Sequence, residues 1–430
     1  MASRATAFLE SLTDFGIKLG LDKTKLFLSK LGNPHEKYPS VLIAGTNGKG
    51  SVAKTLSEIL RASGRKVGLY TSPHLLDVRE RIVVDGRMVP REAFTEGVER
   101  LRCLLDGMPV HLFPTYFEAM TIIAYDYCAR AGVDILVSEV GMGGRFDATN
   151  VLPSCLEVIT PVSFDHMQFL GSTLSQIAQE KAGIIKPKTP VICARQKPEV
   201  LAVIRRKARE RRARLLVMGK DFTARRTALR GLAQEICFSS AGYRIAHVVT
   251  RLLGRHQVEN AALAIQSARM LARNGFVVTD DHIRQGVSST VWPARLQVLS
   301  TQPLVLVDGA HNPGGVKVLM EALKEIDAAG RFSFLVGILR DKDWKKMLCR
   351  ILPSAASVIF ARPDTERALD PEDLAAYARK VAPGTPVRVI PKAGDALREA
   401  LSGRCPVVVC GSLYLAADVL KAWKKIGARL

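Results

Sequence analysis

Short apolar runs alternate with amphipathic stretches over the first half of the chain. The runs are SVLIAG (40–45), DILVSEVG (134–141), CLEVITPV (155–162) and PVICA (190–194). They lack the period-two alternation of a strand with one solvated face, so they predict strands that are covered on both faces. Residues 50–64, 116–132 and 173–185 repeat apolar positions every three or four residues, which predicts helices between the strands. This order predicts an α/β fold with a mostly parallel sheet.

The pattern changes further along the chain. Residues 215–253 show no regular period, and 256–274 then predicts one long helix. A proline interrupts 288–300, which has no helical period, so we place the domain boundary there. Strand and helix patterns then alternate to the C-terminal end, which predicts a smaller Rossmann-like α/β domain. The predicted organisation is an N-terminal domain over 1–290, a linker over 291–296 and a C-terminal domain over 297–430.

Composition is that of a globular protein, with 47% apolar and 24% charged residues in 430. There is no run of about 18 uncharged apolar residues and no apolar segment of a secretory signal near the start. We therefore expect a cytoplasmic protein without a membrane span. The eight cysteines form no C-x-x-C pair, which favours reduced, buried thiols over a zinc site or disulfides.

The net charge of +21 predicts an attraction for anions. Part of the excess lies in RRKARERRAR (205–214), which reads as the polar face and end of a helix. A solvated helix face or attraction of anionic substrates explains this run. Nucleic acid is not expected as a partner, because no interleaved aromatic residues or nucleic-acid motif accompany the charge.

The stretch GTNGKGS (45–51) follows an apolar run and precedes a helical pattern, which is the context of a phosphate loop. It departs from G-x-x-x-x-G-K-[ST], because its glycines stand closer together and Gly50 separates Lys49 from Ser51. We expect Gly45, Gly48 and Gly50 to turn backbone N–H groups toward an anion, with Lys49 neutralising phosphate and Ser51 facing a metal. The alternative is a glycine-rich turn.

Two further strand ends carry polar groups. Glu139 ends an apolar run, at the edge where open α/β sheets bind ligands, and a carboxylate beside a phosphate loop suits magnesium. Arg145 and Asp147 follow in a glycine-rich stretch and are expected to recognise the ligand. Asp165 and His166 follow the next run, where a ligand role and a structural role are equally favoured. The alternative for Glu139 is a solvated carboxylate.

Lys181 is predicted in the middle of a helix, on a face with Ile177 and Ile185. A lysine on an apolar face is costly unless it is paired or modified. Glu180 or Asp165 would be its charge partner in the simplest interpretation.

LVDGAHNPGG (306–315) places Asp308 after a strand and two glycines at the start of a helix. It suggests a nucleotide or carboxylate site with His311 and Asn312 as additional hydrogen-bonding groups. It is not G-x-G-x-x-G, so dinucleotide binding is disfavoured. A simple Asp-Gly turn is the alternative.

Together these stretches resemble one family. GTNGKGS, YTSPHL, ERI, EVGMGGRFDATN, DH, EKAGIIK, WPARL, DGAHNP and CGSLYLA occur here in the order found in folylpolyglutamate synthases and dihydrofolate synthases, which belong to the Mur ligase superfamily. The resemblance runs from about residue 8 to 420. It implies an N-terminal P-loop ATPase domain with a mostly parallel sheet, followed by the Rossmann-like domain.

The resemblance also assigns site residues. ATP is expected to bind at Asn47, Gly48, Lys49, Gly50, Ser51, Asn260, Arg295 and Asp308. Two magnesium ions are expected, one at Ser72 and Glu139 and one at His166 and Lys181. The family carries that lysine as a carbamate, which would replace a buried ammonium by a carboxylate. His311 and Ser412 are expected near the incoming glutamate, and Lys49, His166, Lys181 and Arg295 are the expected catalytic residues.

The implied reaction is ATP-dependent amide formation through an acyl phosphate, giving ADP and phosphate. The expected partners are ATP, L-glutamate, dihydropteroate and reduced folates, and we expect a monomer. Members with both activities carry T-Y-F-E and G-G-R-L-D-A-T-N. The matching positions, expected to bind the pterin substrate, are Thr115, Tyr116, Phe117, Glu118, Arg145, Phe146, Asp147 and Ala148. Phe146 replaces the expected leucine, and we favour the bifunctional enzyme over folylpolyglutamate synthase activity alone.

The sequence also allows two rival interpretations. A cell-wall Mur ligase would carry an additional N-terminal domain, whereas only about 40 residues precede the loop. A nucleic-acid-stimulated P-loop ATPase would suit the positive charge but needs base-stacking aromatic residues, and aromatic residues make up 6% of the chain.

Overall fold

The computed structural model describes residues 4–16, 20–273, 275–327, 330–403 and 405–427. The chain forms two units with separate cores. Unit 1 comprises the described residues of 1–230, 234–250 and 258–290, and unit 2 those of 231–233, 251–257 and 291–430. The main division thus falls at residue 290, and the functional extents of the two domains remain predictions.

The main sheet of unit 1 has eight strands in the order β4-β3-β2-β5-β1-β6-β7-β8. Their bounds are β1 Ser40–Ala44, β2 Val67–Tyr70, β3 Ile82–Val84, β4 Arg87–Met88, β5 Ile135–Glu139, β6 Leu156–Ile159, β7 Val191–Cys193 and β8 Leu215–Val217. All neighbouring pairs from β2 to β8 are parallel, and β3 and β4 add antiparallel pairs at one edge. The predicted α/β fold with mostly parallel sheets is confirmed.

Helices cover both faces of this sheet, which explains the continuous apolar runs. Leu42 and Ala44 of β1 enter one core cluster, while Val41 and Ile43 enter the cluster on the opposite face. The helices up to residue 290 are α1 Arg4–Ser11, α2 Asp22–Lys30, α3 Lys49–Ala62, α4 Arg91–Leu105, α5 Tyr116–Arg130, α6 Met167–Leu170, α7 Leu174–Ala182, α8 Pro198–Glu210, α9 Arg255–Arg273 and α10 Asp280–Ser289. The predicted helix at 256–274 matches α9, and residue 274 lies outside the described residues.

The prediction of an irregular zone at 215–253 is wrong. Besides β8, this region forms a three-stranded antiparallel sheet in the order β11-β10-β9. Its strands are β9 Phe222–Arg230, β10 Ala233–Ser240 and β11 Tyr243–Thr250. Ile236, Phe238 and Ile245 belong to the core of unit 1, whereas Arg225 and Arg244 on the strands are exposed. A register shift between Ile236 and Phe238 interrupts the alternation, which weakens the period-two signal in the sequence.

Unit 2 contains a six-stranded sheet in the order β12-β13-β17-β14-β15-β16, antiparallel only between β12 and β13. Its strands are β12 Gln297–Thr301, β13 Leu304–Val307, β14 Phe332–Val336, β15 Ala355–Phe360, β16 Val387–Val389 and β17 Val407–Cys410. Its helices are α11 Pro313–Ile326, α12 Trp344–Ile351, α13 Pro371–Val381, α14 Ala393–Ser402 and α15 Leu413–Gly427. This agrees with the Rossmann-like alternation predicted for the C-terminal part.

Over the described residues, no helix combines the length and the apolarity that crossing a membrane requires. All eight cysteines are free thiols. The expectation of buried thiols holds for Cys128, Cys193, Cys237 and Cys410, but Cys103 and Cys349 are exposed.

A buried carboxyl and a nearby lysine lie beneath the sheet of unit 1. Glu157 of β6 is fully buried and accepts a hydrogen bond from Ser154 Oγ at 2.9 Å, while Lys186 Nζ donates to the carbonyl of Asn150 at 2.8 Å. Burial raises the pKa of Glu157 to about 8, against the opposing hydrogen bond from Ser154. Burial lowers the pKa of Lys186 to about 8, against the attraction of Glu157.

We expect Glu157→Gln to flatten the pH dependence of stability between pH 5 and 8. In this window the unfolded carboxyl has lost its proton and the folded one still holds it, so wild-type stability falls as pH rises. Lys186 stays protonated in both states below its folded pKa and contributes little slope there. Relative to wild type, the free energy of unfolding of the variant should therefore be higher at pH 8 than at pH 5 by on the order of 2–4 kcal/mol.

Calorimetric melting temperatures at pH 5 and pH 8 measure this effect. Glu199→Gln, which removes an exposed carboxylate from α8, is the matched control and should leave the wild-type slope unchanged. Equal slopes for Glu157→Gln and wild type would show that Glu157 is ionised in the folded protein at both pH values.

Candidate active site

The loop between β1 and α3 has the backbone of an anion site. Gly45 has φ +146° and Gly48 has φ +89°, and both lie where larger residues do not fit. A Cβ on Gly45 would overlap Thr160 Oγ1, and one on Gly48 would lie 2.5 Å from Asn260 Oδ1. The loop therefore passes close to two polar side chains before its backbone enters the N-terminal turn of a 14-residue helix.

Gly50 differs from its predicted role. It lies inside α3, which begins at Lys49, and is not among the glycines with positive φ. The turning of the loop is therefore done by Gly45 and Gly48, and Gly50 contributes the absence of a side chain in the first helical turn. Ser51 is also in this turn and is buried, and its carbonyl oxygen accepts a hydrogen bond from Thr55.

Three residues from different parts of the chain meet beside this loop. Lys49 Nζ lies 3.9 Å from Glu139 Oε1 and donates to the carbonyl of Thr46 at 3.2 Å. The backbone N–H of Ser72 donates to Glu139 Oε2 at 3.2 Å. They meet because β2, β5 and β1 are adjacent parallel strands, so the residues after their carboxyl ends share one edge of the sheet. The structure thus brings together the lysine, carboxylate and serine that the sequence analysis selected.

Lys181 reaches the same loop from α7. Its side chain is buried, and Nζ donates to the carbonyl of Gly45 at 2.8 Å. Burial lowers the pKa of Lys181 to about 7, and the charge of Lys49 adds to this effect, whereas Asp165 and Asp147 oppose it. The Lys181 side chain therefore loses its proton more readily than a lysine in water.

Two details predicted around Lys181 are wrong. The helix ends at Ala182, so Lys181 is in its last turn and Ile185 lies beyond the helix. Glu180 pairs with Arg145 instead, with 2.7 Å between Oε1 and Nη2. Of the two carboxylates considered as charge partners, Asp165 is the one that raises the pKa of Lys181.

His166 lies at the start of the short helix α6, with a left-handed backbone at φ +49°. Its Nε2 is 3.9 Å from Asp165 Oδ1, and 40% of its side chain is exposed. No group of three or more His, Cys, Asp or Glu side chains suited to a metal occurs in the part of the chain that the structure describes.

In the glycine-rich stretch after β5, some side chains are buried and stabilise the loop, whereas others are exposed to solvent. Asp147 is buried and accepts hydrogen bonds from the N–H groups of Met142 at 2.8 Å and Thr149 at 3.1 Å. Burial raises the pKa of Asp147 against these bonds. Arg145 instead stacks on the ring of Phe146 at 4.4 Å, and Phe146 is 40% exposed. Arg145 and Phe146 are therefore available to a ligand, whereas Asp147 holds the loop and Ala148 is buried.

The TYFE stretch opens α5. Thr115 and Glu118 form a buried capping box, with Glu118 Oε2 accepting from Thr115 N at 2.8 Å and Thr115 Oγ1 at 2.9 Å. The guanidinium of Arg81 lies 5.3 Å from the ring centre of Tyr116. A Cβ on Gly141 would overlap the ring of Phe117, so this ring and the loop after β5 are in close contact.

The candidate residues of unit 2 surround the end of β13. Asp308 is buried and accepts from the N–H groups of Leu296 and Ala310, each at 2.8 Å. Burial raises the pKa of Asp308, and Arg295 opposes the rise. Asp308, predicted as a ligand contact, therefore also connects the chain segment before β12 to the segment after β13.

The neighbouring candidates of unit 2 also make backbone contacts. His311 Nδ1 lies 2.8 Å from the carbonyl of Gly309, and Asn312 caps α11 by accepting from Gly315 N–H at 2.7 Å. Ser412 is buried, and its Oγ accepts from Leu415 N–H at 3.1 Å at the start of α15. The roles predicted for them toward glutamate remain predictions.

One residue of the loop was missed in the sequence analysis. Thr46 Oγ1 donates to the carbonyl of Ser163 at 3.0 Å and accepts from Ser163 N–H at 3.0 Å. This pair ties the phosphate loop to the segment after β6 that carries Asp165 and His166. A small hydroxyl residue next to Gly45 was its only local signal, and the partner lies 117 residues away.

Comparison with known proteins agrees with this arrangement. Residues 94–268 match the model of the Mur ligase middle domain, and residues 294–413 match that of the Mur ligase glutamate ligase domain. The chain is 36% identical to the folylpolyglutamate synthase of Lacticaseibacillus casei, over 91% of both proteins. It is 34% identical to the dihydrofolate synthase/folylpolyglutamate synthase of Bacillus subtilis, over 98% of both. The solved structure of Mycobacterium tuberculosis folylpolyglutamate synthase complexed with ADP superposes with a TM-score of 0.90 at 32% identity, covering 97% of this chain and 98% of that one.

Proposed function

This chain belongs to the folylpolyglutamate synthase and dihydrofolate synthase family of Mur ligases, and we propose that it joins L-glutamate to dihydropteroate and to folates that already carry glutamate. ATP is the proposed energy source and is converted to ADP and phosphate. The observation that carries the proposal is the meeting of Lys49, Glu139 and Ser72 beside a glycine loop at one edge of the sheet. Folylpolyglutamate synthase activity alone is the alternative.

ATP binding is supported by the loop and by Asn260. Gly45 and Gly48 leave backbone space where a side chain would collide, and Asn260 Oδ1 lies next to Gly48. The positive charge of Lys49 and the N-terminal end of α3 favour a polyphosphate at this place. We propose that Asn47, Gly48, Lys49, Gly50 and Ser51 contact the phosphates, with Arg295 and Asp308 of unit 2 contacting ATP as well.

The donor set beside the loop fits magnesium. Glu139 supplies a carboxylate and Ser72 a hydroxyl, and magnesium in nucleotide sites is commonly held by one or two carboxylates together with substrate phosphates and water. Bound magnesium would neutralise charge on the transferred phosphate. Lys49 holds a positive charge 3.9 Å from Glu139 and orients that carboxylate. We propose a second magnesium position at His166 and Lys181, which is supported by the link from Thr46 to the segment that precedes His166.

The chemistry of Lys181 supports its proposed carbamylation. A lysine adds carbon dioxide through its neutral amine, and burial next to Lys49 lowers the pKa of Lys181 to about 7. The product would be a carboxylate in a place where an ammonium is expensive to bury. Lys49 and a metal would then be the positive partners of this carboxylate.

The proposed reaction has two steps. The carboxylate of the pterin substrate attacks the γ-phosphorus of ATP, and the bond from this phosphorus to the bridging oxygen of ADP breaks. The amine of L-glutamate then attacks the acyl phosphate, loses a proton and expels phosphate, which forms the amide. Phosphoryl transfer depends on positioning and charge neutralisation, which are the roles proposed for Lys49 and Arg295. His311 and Ser412 are the proposed contacts of glutamate.

The choice of both activities rests on the stretches at 115–118 and 145–148. Thr115 and Glu118 build the start of α5, Tyr116 stacks with Arg81, and Phe117 contacts the loop after β5. We propose that Arg145 and Phe146, which are accessible, contact the pterin substrate, and that Asp147 and Ala148 shape their loop. We further propose that the protein is a monomer. We also propose that it is cytoplasmic, which its eight free thiols support.

Incubation with ATP, glutamate and either dihydropteroate or tetrahydrofolate tests this function, with product masses as the readout. A bifunctional enzyme adds one glutamate to dihydropteroate and one or more to tetrahydrofolate. Extension of tetrahydrofolate alone would select the single activity. Phosphate release that depends on DNA or RNA and not on glutamate would overturn the proposal.

A further inference from the structure

A cleft between α7 and α8 brings part of the basic run into contact with the loop after β5. Its lining includes Ala182 and Gly183 at the end of α7, Arg206 and Lys207 of α8, and Arg145 of the loop. The cavity volume is about 80 Å³, several times the roughly 10–15 Å³ that one water needs. It is therefore large enough for a carboxylate group and its first waters.

The charges around this cleft favour an anion. Arg145, Arg206 and Lys207 line it together with a single carboxylate, Glu210. Lys207 Nζ lies 3.3 Å from Glu210 Oε2, whereas Arg206 Nε is 3.9 Å from Glu210 Oε1 and 63% of the Arg206 side chain is exposed. Arg145 also pairs with Glu180 at 2.7 Å. The three cations thus exceed the two carboxylates that pair with them, Glu210 and Glu180, and two of the cations are guanidinium groups, whose planar forks suit carboxylates.

A solvated helix face does not explain this placement. The helix α8 buries Val200, Ile204 and Ala208 on one side, as an amphipathic surface helix does. Solvation accounts for Arg205 and Arg209, which are exposed and do not line the cleft. Arg206 and Lys207 instead face the same cavity as a cation from a loop about 60 residues earlier in the chain.

Arg145 links the cleft to the candidate active site, both through its contacts with the end of α7 and through its short separation from Glu139 in the chain. Arg145 N–H donates to the carbonyl of Glu180 at 2.8 Å, and a Cβ on Gly183 would overlap the side chain of Arg145. Arg145 also follows Glu139 by only six residues, so their Cα atoms are at most about 22 Å apart. A γ-linked glutamyl residue has two more backbone bonds than an α-linked one. About four γ-linked glutamyl residues in extended conformation therefore span about 22 Å.

We propose that this cleft binds the α-carboxylates of glutamyl residues that the substrate already carries. The inference rests on the proposed function, because that function supplies a substrate with an oligo-γ-glutamate tail. The terminal γ-carboxylate is at the phosphate loop during the reaction, so the earlier glutamyl residues extend away from it. Arg206 and Lys207 bind this part of the tail and thereby select substrates with several glutamates.

The test compares two double variants of the same helix. Arg206→Gln with Lys207→Gln removes two cations from the cleft, and Arg205→Gln with Arg209→Gln removes two cations of α8 that do not line it. For a folate carrying four glutamates, the cleft variant should raise KM about tenfold, since two charge-assisted contacts are lost. Its kcat, and its KM for the monoglutamate, should stay within about twofold of wild type.

Each other outcome of this comparison overturns the proposal. An equal rise of KM in the control variant would show a general effect of net charge. A rise of KM for the monoglutamate would place Arg206 and Lys207 in the reaction centre. An unchanged KM for the tetraglutamate would show that the cleft does not bind the tail.

Direct binding separates the cleft from the proposed activity. Fluorescence anisotropy of a fluorescein-labelled γ-linked tetraglutamate peptide needs no turnover. Wild type should bind it, the cleft variant should bind about tenfold more weakly, and Glu210→Gln, which removes the one lining carboxylate, should bind more tightly. If the three proteins bind the peptide in this order but wild type has no ligase activity, the proposed function is wrong and the cleft is a binding site for acidic peptides.

Competition with inorganic phosphate tests whether the cleft recognises a tail of several carboxylates or any small anion. A tail site should release the labelled peptide to unlabelled tetraglutamate at far lower concentrations than to phosphate, because several carboxylates bind at once. Displacement by phosphate and tetraglutamate at equal concentrations would show a simple phosphate site and overturn the inference.

Discussion

Replacement of Lys49 by alanine should lower kcat for ATP-dependent ligation about a thousandfold while the protein stays folded. Lys49 is the cation that α3 places at the glycine loop, with Nζ 3.9 Å from Glu139. Its removal leaves the negative charge of the transferred phosphate without the cation proposed to neutralise it. Steady-state kinetics with saturating ATP and glutamate measure the effect, and circular dichroism reports the fold.

Lys54→Ala is the matched control for this experiment. Lys54 belongs to the same helix and is 16% exposed, against 15% for Lys49, but it pairs with Glu58 at 2.5 Å. Its removal should change kcat by less than about threefold, because it costs only one ion pair on the helix. If Lys49→Ala retained a tenth of wild-type turnover, the assignment of the phosphate loop would be wrong.

Replacement of Lys181 should have the second largest effect. We expect both Lys181→Ala and Lys181→Met to lower kcat by about a hundredfold or more, because the carbamate would be lost in both. The methionine variant keeps the buried stem and removes the polar end, so it should melt at or above the wild-type temperature. The alanine variant should melt lower, since it leaves a cavity next to Ile177 and Ala178.

Chemical rescue distinguishes a carbamate from an amine at Lys181. Acetate added to Lys181→Ala supplies a carboxylate in the vacated volume and should restore part of kcat, whereas methylamine should not. Mass spectrometry under native conditions should show about 44 additional daltons, the mass of one carbon dioxide, on the wild-type chain. Rescue by methylamine alone, with an unmodified and metal-free Lys181 in the active enzyme, would remove the carbamate from the mechanism.

The type and order of many elements were predictable because their signals are local. The apolar runs at 40–45 and 134–141 become β1 and β5, whose alternate residues pack into cores on opposite faces of the sheet. The antiparallel sheet at 222–250 was missed because alternating strands with exposed arginines resemble irregular polar chain. The β-bulge between Ile236 and Phe238 also interrupts the alternation of buried and exposed residues in the middle of β10.

The candidate site was predictable to a different degree at each residue. Lys49 and Glu139 were selected because a glycine loop and a strand end have recognisable sequences. Gly50 was placed in the turning part of the loop, but the start of the helix lies one residue earlier, and helix boundaries carry weak sequence signals. Thr115 and Glu118 fit a capping box as well as a binding motif, and only their hydrogen bonds identify the first role.

The sequence by itself determined the α/β class, the phosphate loop and the family to which this chain is similar, because each is recognised from short stretches of consecutive residues. Only the tertiary structure decided which side chains meet: Lys49 with Glu139 at a separation of 90 residues, Lys181 with the carbonyl of Gly45, and Glu180 with Arg145. It also decided that Arg206 and Lys207 share a cleft with Arg145. These distances follow from the strand order β2-β5-β1-β6 and from the packing of α7 and α8, which arise from contacts between distant segments and leave no local period in the sequence.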